Sequence, residues 1–329
     1  MNLISWNTTK RCNLYCKHCY RESGPAEDIE EELTTAEGLA LIKQMKRAGF
    51  QLLILSGGEP LLRDDIFEFV RMAKEVGMIP AMGTNGTLLS KEVARELKNS
   101  GLRGIAISVD SLDKNYHDEF RGMKGAYDQT QIGIENALRA GLRVQINLTL
   151  TEKNESAFDE MVDYYEKRGV HALHPFFLVP TGRGVDIEED TLKKESYFHM
   201  IHKVLQKQGK TSLELKPTCA PQFMAMAKDM GIKQRFTRGC LAGISYCSIL
   251  PKGEVNICPY LGVEAGNVRR RPFDEIWADS PIFKQLRDFS TYEGECGKCE
   301  HIGLCGGCRA RAYYYHKNYM AQEPWCYKR

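Results

Sequence analysis

The chain carries almost no net charge: 45 Lys and Arg stand against 43 Asp and Glu in 329 residues, leaving +2. That balance gives no electrostatic footprint for nucleic acid or an anionic membrane, so neither is expected as a partner. No apolar run is long enough to span a bilayer. Residues 1–11, MNLISWNTTKR, lack the charged start and apolar stretch of a secretory signal. Low-complexity tracts and linkers rich in Ser or Pro are also missing. The expected location is therefore the cytoplasm. In that reducing compartment, closely spaced cysteines bind metal more often than they pair as disulfides.

What is present is a 43% hydrophobic content, sufficient for a sizeable core, and strand-like runs alternating with amphipathic helical patterns. Expected strands are Leu3–Asn7, Leu52–Ser56, Ile79–Gly83, Gly104–Val109, Val144–Leu150 and Leu173–Val179. They are short, continuous and partly β-branched, as strands buried on both faces should be. Helices are expected near Thr35–Ala48, Asp64–Val76, Ser90–Ser100, Ala126–Ala140 and Glu155–Arg168, each followed by a glycine (49, 77, 101, 141, 169). Glycine accepts the left-handed conformation that ends a helix. Thr34 and Glu37 read as a capping box. Parallel strands need such helical crossovers, which predicts an α/β fold of roughly six units, an open sheet or a partial (β/α)6 barrel.

After Pro180 the pattern changes. A polar helix near Asp190–Gln208, a short strand at Ser212–Lys216 and a helix near Ala220–Met230 are expected. From Cys240 the chain is rich in Cys, Gly and turns, and such a segment depends on bound metal for order. The expected division is 1–180 for the barrel, 181–234 for a bridge and 235–329 for a Cys-rich domain.

Eleven of the 12 cysteines fall into two groups. Cys12, Cys16 and Cys19 form C-x3-C-x2-C just after the first strand. Three thiolates on one loop can hold three irons of a cubane and leave the fourth open, as catalytic metal sites require. A structural zinc with His18 or a distant fourth ligand is the competing reading of the spacing alone. The second group is Cys240, Cys247, Cys258, Cys296, Cys299, Cys305, Cys308 and Cys326, enough for two further four-ligand sites; Cys219 is left over.

Gly57-Gly58-Glu59-Pro60 follows the second strand at the same end of the sheet. With C-x3-C-x2-C after the first strand and G-G-E-P after the second, the chain resembles the radical SAM superfamily. The resemblance implies that Cys12, Cys16 and Cys19 hold a 4Fe–4S cluster whose open iron binds S-adenosylmethionine (SAM). It implies that Gly57, Gly58 and Glu59 contact the methionine amino group. Reductive cleavage then yields a 5′-deoxyadenosyl radical, chemistry that belongs to the cofactor. Asn85, Ser108, Asp110 and Asn147, at later strand ends, are expected near the ribose or methionine, and Arg121 near the SAM carboxylate.

The C-terminal spacing, with Gly253 five residues before Cys258, resembles the SPASM extension, which carries two auxiliary clusters. By position, Cys240, Cys247, Cys258 and Cys308 would ligate one, and Cys296, Cys299, Cys305 and Cys326 the other, making three 4Fe–4S clusters in all. One departure is that Cys305 and Cys308 are spaced C-x2-C where many members have C-x3-C. Segments such as Pro180-Thr181-Gly182-Arg183, Cys219-Ala220-Pro221-Gln222-Phe223 and Cys305-Gly306-Gly307-Cys308-Arg309 resemble the NirJ/Ahb group of haem d1 and alternative haem biosynthesis. Its members act on acidic side chains of iron tetrapyrroles, by deacetylating didecarboxysirohaem, by a haem d1 step, or by decarboxylating iron-coproporphyrin to haem b.

The implied function is removal or modification of acetate or propionate arms of a sirohaem-derived iron tetrapyrrole, with the deacetylase or haem d1 step as the examples in view. Ferredoxin or flavodoxin would donate the electrons. Arg183 is the expected partner for substrate carboxylates, since guanidinium binds them bidentately; Lys216, Arg235 and Arg238 are weaker candidates. His174, His171 and Cys219 are candidate contacts to the substrate or its iron. A rival function is maturation of a ribosomal peptide or of a metalloenzyme cofactor. Many peptide maturases carry a leader-binding domain before the barrel, whereas here the first motif begins at residue 12. A non-catalytic iron–sulfur carrier would have no use for an intact G-G-E-P.

Overall fold

A computed structural model describes residues 1–328. Six strands fall where the hydrophobic runs predict, within two residues at each end: β1 (Asn2–Asn7), β2 (Phe50–Ser56), β3 (Ile79–Thr84), β4 (Gly104–Ser108), β5 (Arg143–Leu150) and β6 (Ala172–Phe177). They pair in parallel in sequence order, and β7 (Glu214–Leu215) extends them beyond β6.

The sheet does not stop at the expected boundary. The strands β8 (Tyr246–Ile249), β9 (Glu254–Cys258) and β10 (Leu261–Asn267) join the other edge, with β8 parallel to β1 and β9 and β10 antiparallel. The result is one open ten-stranded sheet, β10-β9-β8-β1-β2-β3-β4-β5-β6-β7. The Cys-rich segment thus shares its backbone hydrogen bonding with the parallel strands.

Helices cover one face. Thr34 caps Thr35–Arg47 through the reciprocal box with Glu37, and Gly49, Gly77, Gly101, Gly141 and Gly169 all take positive φ after their helices. Leu41, Ile42 and Met45 of that helix and Phe69 and Val70 of Ile66–Glu75 bury against Trp6, Leu53 and Leu55 of the strands. Alternate residues face the other way and are polar: Ser5, Asn7, Ser56, Ser108, Asn147 and His174. Register sets Asn7 beside Ser56 and Ser108 beside Asn147, with Asn147 in turn beside His174, so one polar wall runs along the sheet. Among the described residues, no helix is long and apolar enough to cross a membrane.

A candidate radical SAM centre

The loop after β1 is held by the backbones around it. Cys12 N donates to Gly24 O at 3.0 Å, Lys17 N to Phe120 O at 3.0 Å and Arg183 N to Cys19 O at 3.1 Å. From the second motif, Gly58 N donates to Thr9 O at 2.7 Å and Glu59 N to Arg11 O at 2.9 Å. A Cβ on Gly58 would sit 2.2 Å from Arg11 O, so only glycine permits this approach. The close contact here is to the cysteine loop's own backbone.

Cys12 and Cys16 are buried and Cys19 is partly so. Burial pushes the Cys12 thiol up to about 12, against a hydrogen bond from Leu14 N to its Sγ at 3.4 Å. Burial also raises Cys16, opposed by Arg121, whose Nη1 lies 3.8 Å from Cys16 Sγ. Thiols so placed stay protonated until a metal takes the proton's position. His18 stacks on Phe120 at 4.4 Å between ring centroids, and burial drives its pKa down to about 3, so it is a neutral packed ring.

Glu59 is fully buried. It accepts from Thr84 Oγ1 at 2.8 and 2.9 Å, from Asn85 N at 2.9 Å and from Leu61 N at 3.1 Å. Burial pushes its carboxyl up to about 7 despite these donors. It ties the end of β3 to the G-G-E-P turn. Asn85 Nδ2 donates to Asn13 Oδ1 at 2.9 Å and lies 3.9 Å from Cys12 Sγ. Asp110 is buried and bonds Arg121 Nε at 2.7 Å and Thr149 N at 3.0 Å. Burial opposes its ionisation, but Arg121, His18, His117 and the Thr149 N–H together outweigh it and hold the carboxyl below its usual range. Cys12, Cys16, Glu59, Asn85, Asp110 and Arg121 thus gather around one loop. Ser108 and Asn147 lie beyond, along the polar wall, and Gln145 Nε2 already donates to Asn147 Oδ1 at 2.7 Å.

The structure redirects Arg183. Its Nε donates to Cys16 O at 2.8 Å and its Nη2 to Ser23 O at 2.8 Å, while the guanidinium stacks 3.9 Å over Tyr15. Cys16 O also accepts from Cys19 N at 3.3 Å, so Arg183 adds a side-chain donor to a carbonyl of the cysteine loop and a second one to Ser23 O just beyond it. Only its buried Nη1 is left unpaired. His174 Nε2 lies 3.2 Å from Glu214 Oε1, and burial lowers its pKa to about 3, with Lys216 and Arg235 adding to the shift. His171 sits just before β6, its Nδ1 accepting from Val144 N at 3.2 Å, at the opposite end of the strand from the cysteine loop. Lys216, just past β7, lies 4.7 Å over the Phe236 ring and has no carboxylate partner among the described residues. Burial lowers its pKa. Arg235 pairs with Glu214 instead.

In the C-terminal segment, donors point at sulfur. Glu323 N lies 3.3 Å from Cys296 Sγ, His301 N 3.4 Å from Cys299 Sγ and Gly307 N 3.5 Å from Cys305 Sγ. Arg309 Nη2 lies 3.7 Å from Cys296 Sγ. Such N–H groups suit thiolates that carry iron–sulfur clusters. Cys240, Cys258 and Cys308 are mutual charge neighbours, and Cys240 N donates to Cys305 O at 2.9 Å, so the two sets adjoin. Cys326 is partly buried near the chain end. Cys247 lies elsewhere, fully buried on β8, with Arg287 as its charged neighbour. Among the described residues, no three His, Cys, Asp or Glu side chains converge on a single-ion site.

The radical SAM superfamily profile matches residues 6–165, and the iron-sulfur cluster-binding domain profile matches residues 240–308. The chain belongs to the radical SAM superfamily and is an enzyme that uses SAM and iron–sulfur clusters. It is 39% identical to the AdoMet-dependent heme synthase of Methanosarcina barkeri, over 98% of this chain and 95% of that one. It is 31% identical to the pre-heme d1 synthase of Dinoroseobacter shibae, over 99% and 86%. These relatives place it in the NirJ/Ahb group. The structure of Streptococcus suis SuiB bound to S-adenosylmethionine superposes with a TM-score of 0.77 at 18% identity, over 99% of this chain and 77% of that one, a likeness of fold.

Proposed function

We propose that this enzyme forms haem by converting propionate arms of an iron tetrapyrrole to vinyl groups. Each conversion releases carbon dioxide, gives a hydrogen atom to the SAM-derived fragment and leaves one electron for an acceptor. Full-length identity of 39% to a heme synthase favours this reaction over deacetylation or a haem d1 step, because the pre-heme d1 synthase stands at 31%. When bound, the first cluster and SAM supply the hydrogen-abstracting radical.

The chain's own residues then have separate tasks. Cys12, Cys16 and Cys19 would hold the cluster, and Arg183 fixes the loop that carries them. Asn85, Asp110, Arg121 and the Gly57-Gly58-Glu59 turn would position SAM, with Ser108 and Asn147 along its outer side. Ferredoxin or flavodoxin would donate electrons, and two auxiliary clusters would accept or relay them.

The observation that carries the substrate class is Lys216. A half-buried ammonium whose charged neighbour is the Cys219 thiol and which has no carboxylate partner among the described residues is placed to receive a carboxylate from a ligand. A propionate does so, with neutral His174 beside it on the polar wall.

The test is an anaerobic turnover assay of the reconstituted, reduced enzyme with SAM and iron-coproporphyrin III, and separately with didecarboxysirohaem. 5′-Deoxyadenosine and tetrapyrrole mass are followed together. Deoxyadenosine formed with stepwise loss of carboxyl groups from iron-coproporphyrin supports the proposal. Loss of acetate from didecarboxysirohaem alone would replace it with the deacetylase, and turnover of neither would move peptide or metallocofactor maturation forward.

A further inference from the structure

We propose that Cys219, not Cys247, is the fourth thiolate of the cluster-binding set formed with Cys240, Cys258 and Cys308. This assignment concerns the auxiliary site alone and does not depend on which substrate the enzyme takes.

Strand geometry removes Cys247. Successive side chains on a strand point to opposite faces. On β8, Tyr246 OH lies 2.7 Å from Ser5 Oγ, and Ser248 Oγ accepts from Asn7 Nδ2 at 3.0 Å, so these two face the polar wall. Cys247 between them faces the helix side. It belongs to the hydrophobic core, and the guanidinium of its neighbour Arg287 is stacked 4.2 Å over Trp277. A fully buried cysteine in such a setting packs as a small hydrophobe.

Several contacts bring Cys219 to the other three. The loop after Cys219 lies against the loop before Cys240: a Cβ on Gly239 would stand 2.4 Å from Pro221 O. Arg311, three residues past Cys308, donates from Nη2 to Cys219 O at 3.1 Å. The charge neighbours of the half-buried Cys219 thiol include Cys308, Cys258 and Cys240, together with Arg311.

The backbone gives a further sign. Cys219 has φ +61, and only Glu22 and Lys317 share a positive φ among described non-glycine residues. An L-residue is strained there, so the surroundings impose it. Thr218 sits at a parallel bridge to Phe176, and the turn at Cys219 comes directly after it. Arg311, flanked by the rings of Tyr197 and Trp325 at 4.9 and 4.6 Å, supplies a fixed positive charge beside the set. With this exchange, 11 of the 12 cysteines still serve as ligands, and the one left over is Cys247, which the strand alternation turns to the helix side.

The test uses the full chain with Cys12, Cys16 and Cys19 replaced by alanine, so that only auxiliary clusters contribute to the spectrum. Cys219→Ala and Cys247→Ala are each added to that background, reconstituted anaerobically and reduced. Electron paramagnetic resonance is recorded with and without added imidazole. An iron that has lost its thiolate takes imidazole, whereas a cluster merely disturbed by a cavity keeps its four thiolates. The expected result is an altered auxiliary signal in Cys219→Ala that shifts again with imidazole, and no imidazole shift in Cys247→Ala. An imidazole shift in Cys247→Ala, or a full complement of iron with no imidazole shift in Cys219→Ala, overturns the assignment. Iron and sulfide counts supply a second readout: a cluster lost outright from Cys219→Ala lowers both by about half.

Discussion

Arg121 lies between a carboxylate and a sulfur: its Nε is 2.7 Å from Asp110 Oδ2 and its Nη1 is 3.8 Å from Cys16 Sγ. Both charged partners are buried, with side-chain exposures of 7% and 0%. Removing one member of such a pair strands the other's charge, which costs about 3 kcal/mol or more. Asp110→Asn is therefore expected to lower stability by that order in anaerobic urea unfolding. Arg121→Lys keeps a charge but loses the fork that reaches both groups. It is expected to weaken the change in the first cluster's paramagnetic signal when SAM is added. An unchanged response would remove Arg121 from the SAM site.

Glu323 connects the two C-terminal sets. Its backbone N–H points at Cys296 Sγ at 3.3 Å, its carboxylate accepts from Cys308 N, and it pairs with Arg311 at 3.2 Å. Both side chains of that pair are almost wholly buried, at 0% and 2% exposure. Glu323→Gln should cost about 3 kcal/mol. Taking a negative charge from beside the clusters also favours their reduced forms, so at least one auxiliary midpoint potential should rise in a spectroscopic redox titration. Potentials that stay put would make Glu323 a structural residue only.

The cysteine loop is shaped by glycines that belong to other elements. Gly182 has φ +55, and a Cβ there would stand 2.5 Å from Cys19 O and 2.8 Å from the Tyr20 carbonyl. Gly169 has a similar φ of +76 but nothing within 4 Å of a Cβ. Alanine at Gly169 should therefore cost only the conformational term, about 1 kcal/mol. Alanine at Gly182 should in addition displace the loop and lower the iron held by the first cluster. Equal iron contents in the two variants would show that the loop yields without effect.

Local signals carried most of the parallel sheet. Apolar runs marked β1 to β6, and glycines marked five helix ends, because both depend on neighbours within a few residues. The helix Lys114–Arg121, which delivers Arg121, has no long apolar stripe and rests on its Asp113 cap and on Gly122 at its end. It escaped a reading based on periodicity. The pairing of β8 with β1 joins Tyr246 to Leu3 across almost the whole chain, and no local pattern encodes it. Without that strand, the alternation that turns Cys247 away from the polar wall is invisible, and Cys219 is left unplaced. Spacing identifies cysteines as a set, whereas the sheet decides which of them face one another. Arg183 shows the same limit: its charge suggested a substrate partner, and the arrangement of carbonyls that engages it exists only in the folded loop.

Buried histidine should make the protein sensitive to mild acid. His117 is 1% exposed, and its Nδ1 accepts from Asp110 N at 3.3 Å. Burial, with Arg121 adding to it, lowers its pKa to about 4. Above the unfolded value of about 6.5 the ring is neutral in both states and contributes no pH dependence. As pH falls below that value, the unfolded chain takes up a proton that the folded one refuses, so stability drops by about 1.4 kcal/mol per pH unit until the folded pKa is reached. His117→Gln retains an acceptor without the titration. Its stability should fall less steeply than that of the wild type between about pH 6.5 and pH 4, by the same anaerobic unfolding measurement. Parallel slopes would assign the acid sensitivity to other groups.

Lys216 gives the sharpest separation of substrate binding from SAM chemistry. Its ammonium lies over Phe236 at 4.7 Å and takes no part in the hydrogen bonds that shape the cysteine loop. Lys216→Met keeps the length and apolar packing of the stem and removes the charge. If the ammonium receives a propionate, the variant should bind the iron tetrapyrrole about ten-fold or more weakly, a charge-assisted hydrogen bond being worth about 1.5–3 kcal/mol. It should still cleave SAM to deoxyadenosine in the absence of tetrapyrrole at the wild-type rate. Absorbance titration of the tetrapyrrole and chromatography of deoxyadenosine measure the two separately. A variant that binds tetrapyrrole as tightly as the wild type would sink the role of Lys216, and one that also loses SAM cleavage would place the residue with the first cluster rather than with the substrate.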